Sequence, residues 1–260
     1  AEKLKKVTAA DPMPALNAEC LSLAKKIAAR YACPLAAALR LFLPAEMRKG
    51  KVRELKKRYA ELCVPFEEAK EKLPKSAKNQ LAAAALLNER GKTECAALNA
   101  EFAGSVAALE KKGLIKITEE QVLRDPYKTL EERGAAHTLT EDQQRAVDSV
   151  RSDSRTVQLL HGVTGSGKTE IYLSLIADCL KQGKTAVFLV PEISLTPQMA
   201  EQFTARFGDL CALLHSRLSA GERFDEWRRI RRGEARVVIG ARSAVFAPVE
   251  NLGAIIIDEE

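Results

Sequence analysis

The eight residues Gly162-Val163-Thr164-Gly165-Ser166-Gly167-Lys168-Thr169 constrain this chain more than any other feature, because they fit G-x-x-x-x-G-K-[ST] at every fixed position. Glycines let a backbone curl until successive N–H groups converge on one phosphate. A helix that opens near Lys168 adds the positive end of its dipole. Lys168 sets a cation on the outer phosphates, and the Thr169 hydroxyl can ligate Mg²⁺. Such a loop requires a strand before it and a helix after it. The flanks supply an apolar run at 156–160 and helical spacing over 168–182.

The same alternation continues across 139–260. Strands are expected at 156–160, 185–190, 210–214, 236–239 and 254–257, and helices at 141–151, 168–182, 197–207 and 219–232. Apolar β-branched strands alternating with helices imply an α/β domain, a mainly parallel sheet covered on both faces. The run Ala254-Ile255-Ile256-Ile257 ends in Asp258-Glu259. That places two carboxylates at the sheet's C-terminal edge, beside the phosphate loop. Asp258 would hold Mg²⁺ with Thr169, and Glu259 would orient or deprotonate a water. Lys168, Asp258 and Glu259 are the candidate catalytic residues. Upstream, Leu139-Thr140-Glu141-Asp142-Gln143 opens a helix. Gln143 is the candidate for reading adenine through its amide; Gln144 can take that role, and a solvated pair of glutamines fits the sequence equally well.

The first half reads differently. Helical spacing runs from Asn17 to Ala32, and Pro34 and Pro44 bracket a second short helix, 35–43. Residues 49–58 are strongly basic, a linker or a solvated helix. Ser76 can cap a helix to Asn88, Thr93 and Glu94 open another to Asn99, and a third runs from Phe102 to Lys112. The alternating Leu114-Ile115-Lys116-Ile117 follows as a strand. Three short helices and then a β-ribbon is the order of a winged helix. The third helix offers Lys111 and Lys112 to a phosphate backbone but few base-reading side chains; a protein-docking domain is the competing reading. The expected domains are 1–50, the end of an N-terminal DNA-binding domain; 51–118, the winged helix; 119–138, a polar linker; and 139–260, the α/β lobe.

Composition narrows the class. Of 260 residues, 41 are basic and 35 acidic, a formal charge of +6. Residues 1–100 hold 20 basic and 11 acidic side chains, so the excess is N-terminal, as in a phosphate-backbone binder. Six cysteines include no C-x-x-C pair, so the sequence shows neither a zinc site nor a redox motif. No apolar run approaches the ~20 residues of a membrane span, and no signal peptide opens the chain. Incidental thiols fit a reducing, cytoplasmic setting. A chain that starts Ala1-Glu2-Lys3 and stops directly after an apolar run reads as a piece of a longer protein.

Four segments together resemble the PriA family of bacterial primosomal replication-restart helicases: Gly162 to Tyr172 (GVTGSGKTEIY), Val190 to Gln198 (VPEISLTPQ), Gly240 to Pro248 (GARSAVFAP) and Ile257 to Glu260 (IDEE). The resemblance is strong over 139–260 and weaker over 1–127, where Asp125-Pro126-Tyr127 is similar to the family's entry into the helicase lobe. It implies a RecA-like lobe of a superfamily 2 DNA helicase that hydrolyses ATP with Mg²⁺ while translocating on single-stranded DNA at stalled forks. The partners it implies are forked DNA, primosome proteins and helicase-loading factors, in a bacterial, nucleoid-associated setting. It implies Zn²⁺ only for a cysteine-rich part that this sequence does not contain. Such enzymes complete the ATP site with arginines of a second lobe, so this chain alone is expected to turn over little. A RecG-like fork remodeller and a non-catalytic fork-binding module are the rival readings.

The remaining motifs suit a DNA backbone. Thr196 then Pro197 forms a good N-cap and first helical position, leaving N–H groups and a hydroxyl free, with Gln198 beside them. Arg242-Ser243 follows a strand end and presents a guanidinium and a hydroxyl at the same sheet edge; a structural salt bridge for Arg242 is the alternative. The cluster Arg228, Arg229, Arg231, Arg232 reads as a solvated face more than a DNA tract, His215 as a satisfied loop histidine, and Trp227 as core.

Overall fold

The computed structural model describes residues 16–44, 47, 55–124, 138–163 and 165–259. The chain divides into two compact units, one formed by Arg53–Arg124, the other by Ala1–Val52 together with Asp125–Glu260. Asp125-Pro126-Tyr127, Thr164 and Glu260 lie outside the described residues.

In the larger unit, α1 (Ala18–Arg30) starts at Asn17, whose side chain accepts the Cys20 N–H at 2.8 Å. Helix α2 (Leu35–Leu39) stops four residues short of the expected Leu43, and the chain turns there to bury Phe42. In the smaller unit, β1 (Leu55–Leu62) is followed by α3 (Phe66–Lys72), α4 (Lys78–Arg90), β2 (Thr93–Glu94), α5 (Cys95–Glu101), α6 (Ser105–Lys111) and β3 (Ile115–Val122). One three-stranded antiparallel sheet, β2-β1-β3, carries the helices on a core of Ala83, Ala84, Leu87, Leu98, Val106, Leu109 and Leu114.

Several expectations are corrected here. The ribbon partner of β3 is β1, which precedes the helices. The basic stretch 49–58 is, in its described part, neither linker nor helix but the start of that strand. Residues 119–122, expected as linker, belong to β3. Charge explains both: the register sets Lys57 opposite Glu120, Arg58 opposite Glu119 and Glu61 opposite Lys116. Each segment looks like solvated loop alone; as strands their charges meet partners, Lys57 Nζ with Glu94 of β2 at 2.7 Å and Lys56 Nζ with Glu119 of β3 at 3.9 Å. Ser76 does not cap; α4 starts at Lys78 without a side-chain cap, whereas Thr93-Glu94 opens α5 as expected, Glu94 being its N-cap, and also pairs with β1.

The larger unit continues with α7 (Glu141–Ser152), α8 (Lys168–Lys181), β4 (Thr185–Leu189), α9 (Pro197–Phe207), β5 (Cys211–Leu214), α10 (Ala220–Arg231), β6 (Val237–Gly240) and β7 (Leu252–Ile257). The four strands form one parallel sheet, β5-β6-β4-β7. Every residue of β4 is buried, because the sheet is covered on both faces. Phe188 packs with Tyr172, Ile176, Phe203 and Ile239 on one face, its ring 4.8 Å from that of Phe203. Val187, Leu189, Val238 and Ile230 fill the other.

The expected strand at 156–160 is absent. The segment makes no ladder; Val157 and Leu159 are exposed, and only Leu160 packs on the core. A β-branched pattern creates a strand only where a neighbouring backbone offers hydrogen bonds, and none of the described strands pairs with this one. Strand β7 correspondingly holds an outer position, with Ile255 and Ile257 about half exposed.

Residues 16–44 do not stand apart from the α/β unit, as the boundary at 50 implied. Asn17 Nδ2 donates to Val249 O at 2.8 Å, Trp227 Nε1 donates to Phe42 O at 2.8 Å, and the Phe42 ring meets Phe246 edge-on at 5.4 Å. Trp227 is thus core, and also the anchor of the α2 turn. Three of the four clustered arginines are structural: Arg229 pairs with Glu226 at 2.6 Å, Arg231 with Glu250 at 2.8 Å, and Arg228 lies over the Phe224 ring; Arg232, just past α10, is solvated as expected, with a loose exposed pair to Glu234 at 3.7 Å. No helix among the described residues is long and apolar enough to cross a membrane.

Candidate functional site

The site gathers where α8 begins and the parallel strands end. Gly167 caps α8 in the left-handed region, φ +78°, with no side chain closing the helix start. The first-turn N–H groups of this helix are therefore not taken up by a capping side chain. Lys168 folds back so that Nζ donates to Gly162 O at 2.8 Å and Val163 O at 3.1 Å. The loop packs closely at Gly162, where a Cβ would lie 2.9 Å from Ser166 Oγ and displace that hydroxyl. A cradle of glycines, a lysine and an uncapped helix start fits a polyphosphate.

Gln143 is placed at this loop. Helix α7 opens with a capping box: Thr140 Oγ1 accepts the Gln143 N–H at 3.3 Å, and Gln143 Oε1 accepts the Thr140 N–H at 2.9 Å. The other end of the same amide, Nε2, donates to Ser166 O at 3.2 Å. Both ends of the amide are thus engaged, and its position over Gly167 leaves no room for a Cβ, which would sit 2.2 Å from Nε2. Gln144 points elsewhere, to Asp148 at 2.9 Å. Arg151 holds α7 to α8 through Asp178 at 2.6 Å.

The two acids follow β7. The Asp258 N–H donates to Leu189 O at 2.9 Å, carrying the β4–β7 ladder one residue further. Tyr172 lies on α8 three residues after Thr169, on the same helix face. Its hydroxyl donates to Asp258 Oδ1 at 3.1 Å. Burial first, and the neighbouring Asp258 charge second, push the Tyr172 phenol up to about 12. This bond brings Asp258 to the first turns of α8, where Lys168 and Thr169 start the helix. Glu259 turns away: it adopts φ +57° and accepts a hydrogen bond from Ser194 Oγ. Tyr172 and Ser194 were not singled out from sequence. The position of Tyr172 three residues past Thr169 was the available signal for the first.

The DNA-side candidates line the same edge. Thr196 caps α9, its Oγ1 accepting the Met199 N–H at 3.3 Å, with Pro197 in the first turn and Gln198 exposed beside it. Arg242 and Ser243 open a 3₁₀ turn just after β6, both exposed, and Arg242 makes no ion pair among the described residues. His215, after β5, is held below the usual histidine range by burial. Lys111 and Lys112 end α6 in the smaller unit; Lys112 Nζ donates to Gln80 at 2.9 Å. No cluster of metal-ligating side chains occurs among the described residues.

Residues 140–260 match the family model for DEAD/DEAH box helicases. The chain is 55% identical over 161 residues to replication restart protein PriA of Bacillus subtilis, covering 60% of this chain and 20% of that protein. It is 47% identical over 159 residues to PriA of Synechocystis, covering 61% and 19%, and 40% identical over 196 residues to PriA of Haemophilus influenzae, covering 72% and 26%. The chain therefore spans about a fifth to a quarter of these relatives' length. A DEAD/DEAH box helicase domain is a user of ATP and magnesium. Residues 140–260 are thus similar to DEAD/DEAH box helicases and have the parallel α/β architecture of a RecA-like lobe, and about 60% of the chain is similar to the PriA replication restart proteins.

Proposed function

We propose that this chain is the DNA-binding and first ATPase portion of a helicase that restarts replication at stalled or recombination forks. The observation that carries the reading is the Tyr172–Asp258 bond, which joins the helix of the phosphate loop to the strand that ends in two acids. In this reading the amides of 162–169 and the start of α8 bind the triphosphate, and Lys168 leaves its loop carbonyls for the outer phosphates. Thr169 and Asp258 would hold magnesium, which would neutralise phosphate charge. Glu259 orients the attacking water. Gln143 shapes the loop through Ser166 and Thr140, a role of its amide beside any contact with adenine.

Thr196, Pro197, Gln198, Arg242 and Ser243 bind the backbone of single-stranded DNA at the sheet edge. Residues 55–122 form a winged helix whose wing is closed by β1, with Lys111 and Lys112 as sequence-tolerant phosphate contacts. The whole protein engages forked DNA, primosome proteins and helicase loaders. It completes catalysis with cations of a second lobe, and holds Zn²⁺ outside this chain.

The test is DNA-stimulated hydrolysis and fork unwinding by the whole protein. Lys168→Ala abolishes both while leaving DNA binding within about twofold. Turnover by Lys168→Ala at the wild-type rate refutes the ATPase assignment.

A further inference from the structure

The geometry points to Ser194 as a positioning residue that restrains Glu259 until a polynucleotide phosphate reaches the start of α9. The inference rests on the proposed roles of Glu259 and Thr196 and adds the connection between them.

The two adjacent acids are held by different parts of the fold. Asp258 is bonded to Tyr172, on the helix of the phosphate loop. Glu259, reversed by its left-handed backbone, is bonded to Ser194, in the turn between β4 and α9. That turn is tightly built: the Ser194 N–H donates to Pro191 O at 2.9 Å, and Ser194 O accepts the Thr196 N–H at 2.8 Å. Thr196 is the cap of α9, its hydroxyl engaged to Met199 N by a long 3.3 Å bond. Three consecutive hydrogen bonds thus lead from the free start of α9 to the carboxylate: Met199 to Thr196, Thr196 to Ser194, Ser194 to Glu259.

The chemistry follows from where the carboxylate is held. The Ser194 hydroxyl occupies one of the carboxylate's several acceptor sites but fixes the side chain at the 191–195 turn, so Glu259 must leave that bond to orient a water elsewhere. A DNA phosphate at the start of α9 takes the long, weak bonds of the Thr196 hydroxyl and the first-turn amides. Because Thr196 N–H is fixed to Ser194 O, the turn moves with it and the carboxylate is released. Hydrolysis is thereby tied to DNA engagement. The bond lies at the surface, so its removal shifts the balance modestly.

The test compares hydrolysis with and without single-stranded DNA in the whole protein. Ser194→Ala raises the DNA-free rate about three- to tenfold, the effect of one exposed hydrogen bond. It leaves the DNA-saturated kcat within about twofold and KM for ATP unchanged, so the stimulation ratio collapses. Ser194→Thr, which keeps the hydroxyl, restores the ratio. Ser194→Ala that lowers both rates by one factor, or leaves their ratio intact, overturns the restraint. Glu259→Gln separates the two levels. If it is inert and the Ser194→Ala ratio is unchanged, only the restraint falls; if it turns over, the role of Glu259 falls and the restraint with it.

Discussion

Gly167→Ala tests how the phosphate loop is shaped. Two costs can be worked from the geometry. At φ +78° an L-residue is in the left-handed region, about 1–2 kcal/mol above a glycine. The new Cβ would also lie 2.2 Å from Gln143 Nε2, so the amide must leave. That gives up the bonds to Ser166 O and Thr140 N, at 3.2 Å and 2.9 Å. Both are exposed, worth together about 1 kcal/mol. The sum is about 2–3 kcal/mol. Because the loop is exposed and local, it relaxes by losing its curl and not by unfolding the lobe. The cost therefore surfaces as a loss of nucleotide affinity of about 30- to 150-fold, read by titration with a fluorescent ATP analogue. A double-mutant cycle isolates the second cost. In a Gln143→Ala background the collision is gone, and Gly167→Ala then weakens binding only about 5- to 30-fold, the backbone share alone. An equal loss in both backgrounds refutes the packing of Gln143 over the loop, and affinity within twofold of wild type refutes the whole account.

Two other outcomes follow from burial. Trp227→Phe keeps an aromatic ring but a smaller one and deprives the Phe42 carbonyl of its donor; the lost bond alone costs about 1–3 kcal/mol in chemical denaturation, the lost volume adds to it, and amide exchange across 16–44 quickens; unchanged exchange there would show that Trp227 does not anchor that segment. Burial pushes the Cys211 thiol up to about 12, as it does the Tyr172 phenol. Both groups keep their protons in the fold at pH values where an unfolded chain releases them. Their contribution is whole below pH 9 for the thiol and pH 10 for the phenol, and fades as pH rises toward 12. A thiol reagent at pH 8 accordingly labels exposed Cys63 rapidly and Cys211 only on unfolding; equal rates contradict the packing of β5.

The phosphate loop and the acidic strand end were legible from sequence because each is a local device. Gly167, Lys168 and Thr169 complete their motif within eight residues, and the buried run of β4 admits one reading. What escaped was set by distant partners. Nothing near Lys57 announces Glu94, 37 positions later, so a charged strand reads as solvated chain. The packing of 16–44 depends on Asn17 meeting Val249 and Phe42 meeting Trp227. The run 156–160 misled in the opposite direction: its side chains suit a sheet, but no backbone lies alongside. Gln143 is a candidate from the helix opening alone, yet its double engagement by Thr140 and Ser166 follows from the approach of α7 to the loop, which no spacing encodes.

Strand β7, at the rim of the parallel sheet, has a practical side. A rim of this kind is a rail of unsatisfied amides and carbonyls, and here it carries isoleucines at 255 and 257 without the lysines or prolines that usually discourage strangers from zipping on. Anyone purifying the polypeptide by itself works against cross-chain sheet growth, and placing a single lysine at 255 blunts that rim while leaving Phe188 and its neighbours on β4 untouched.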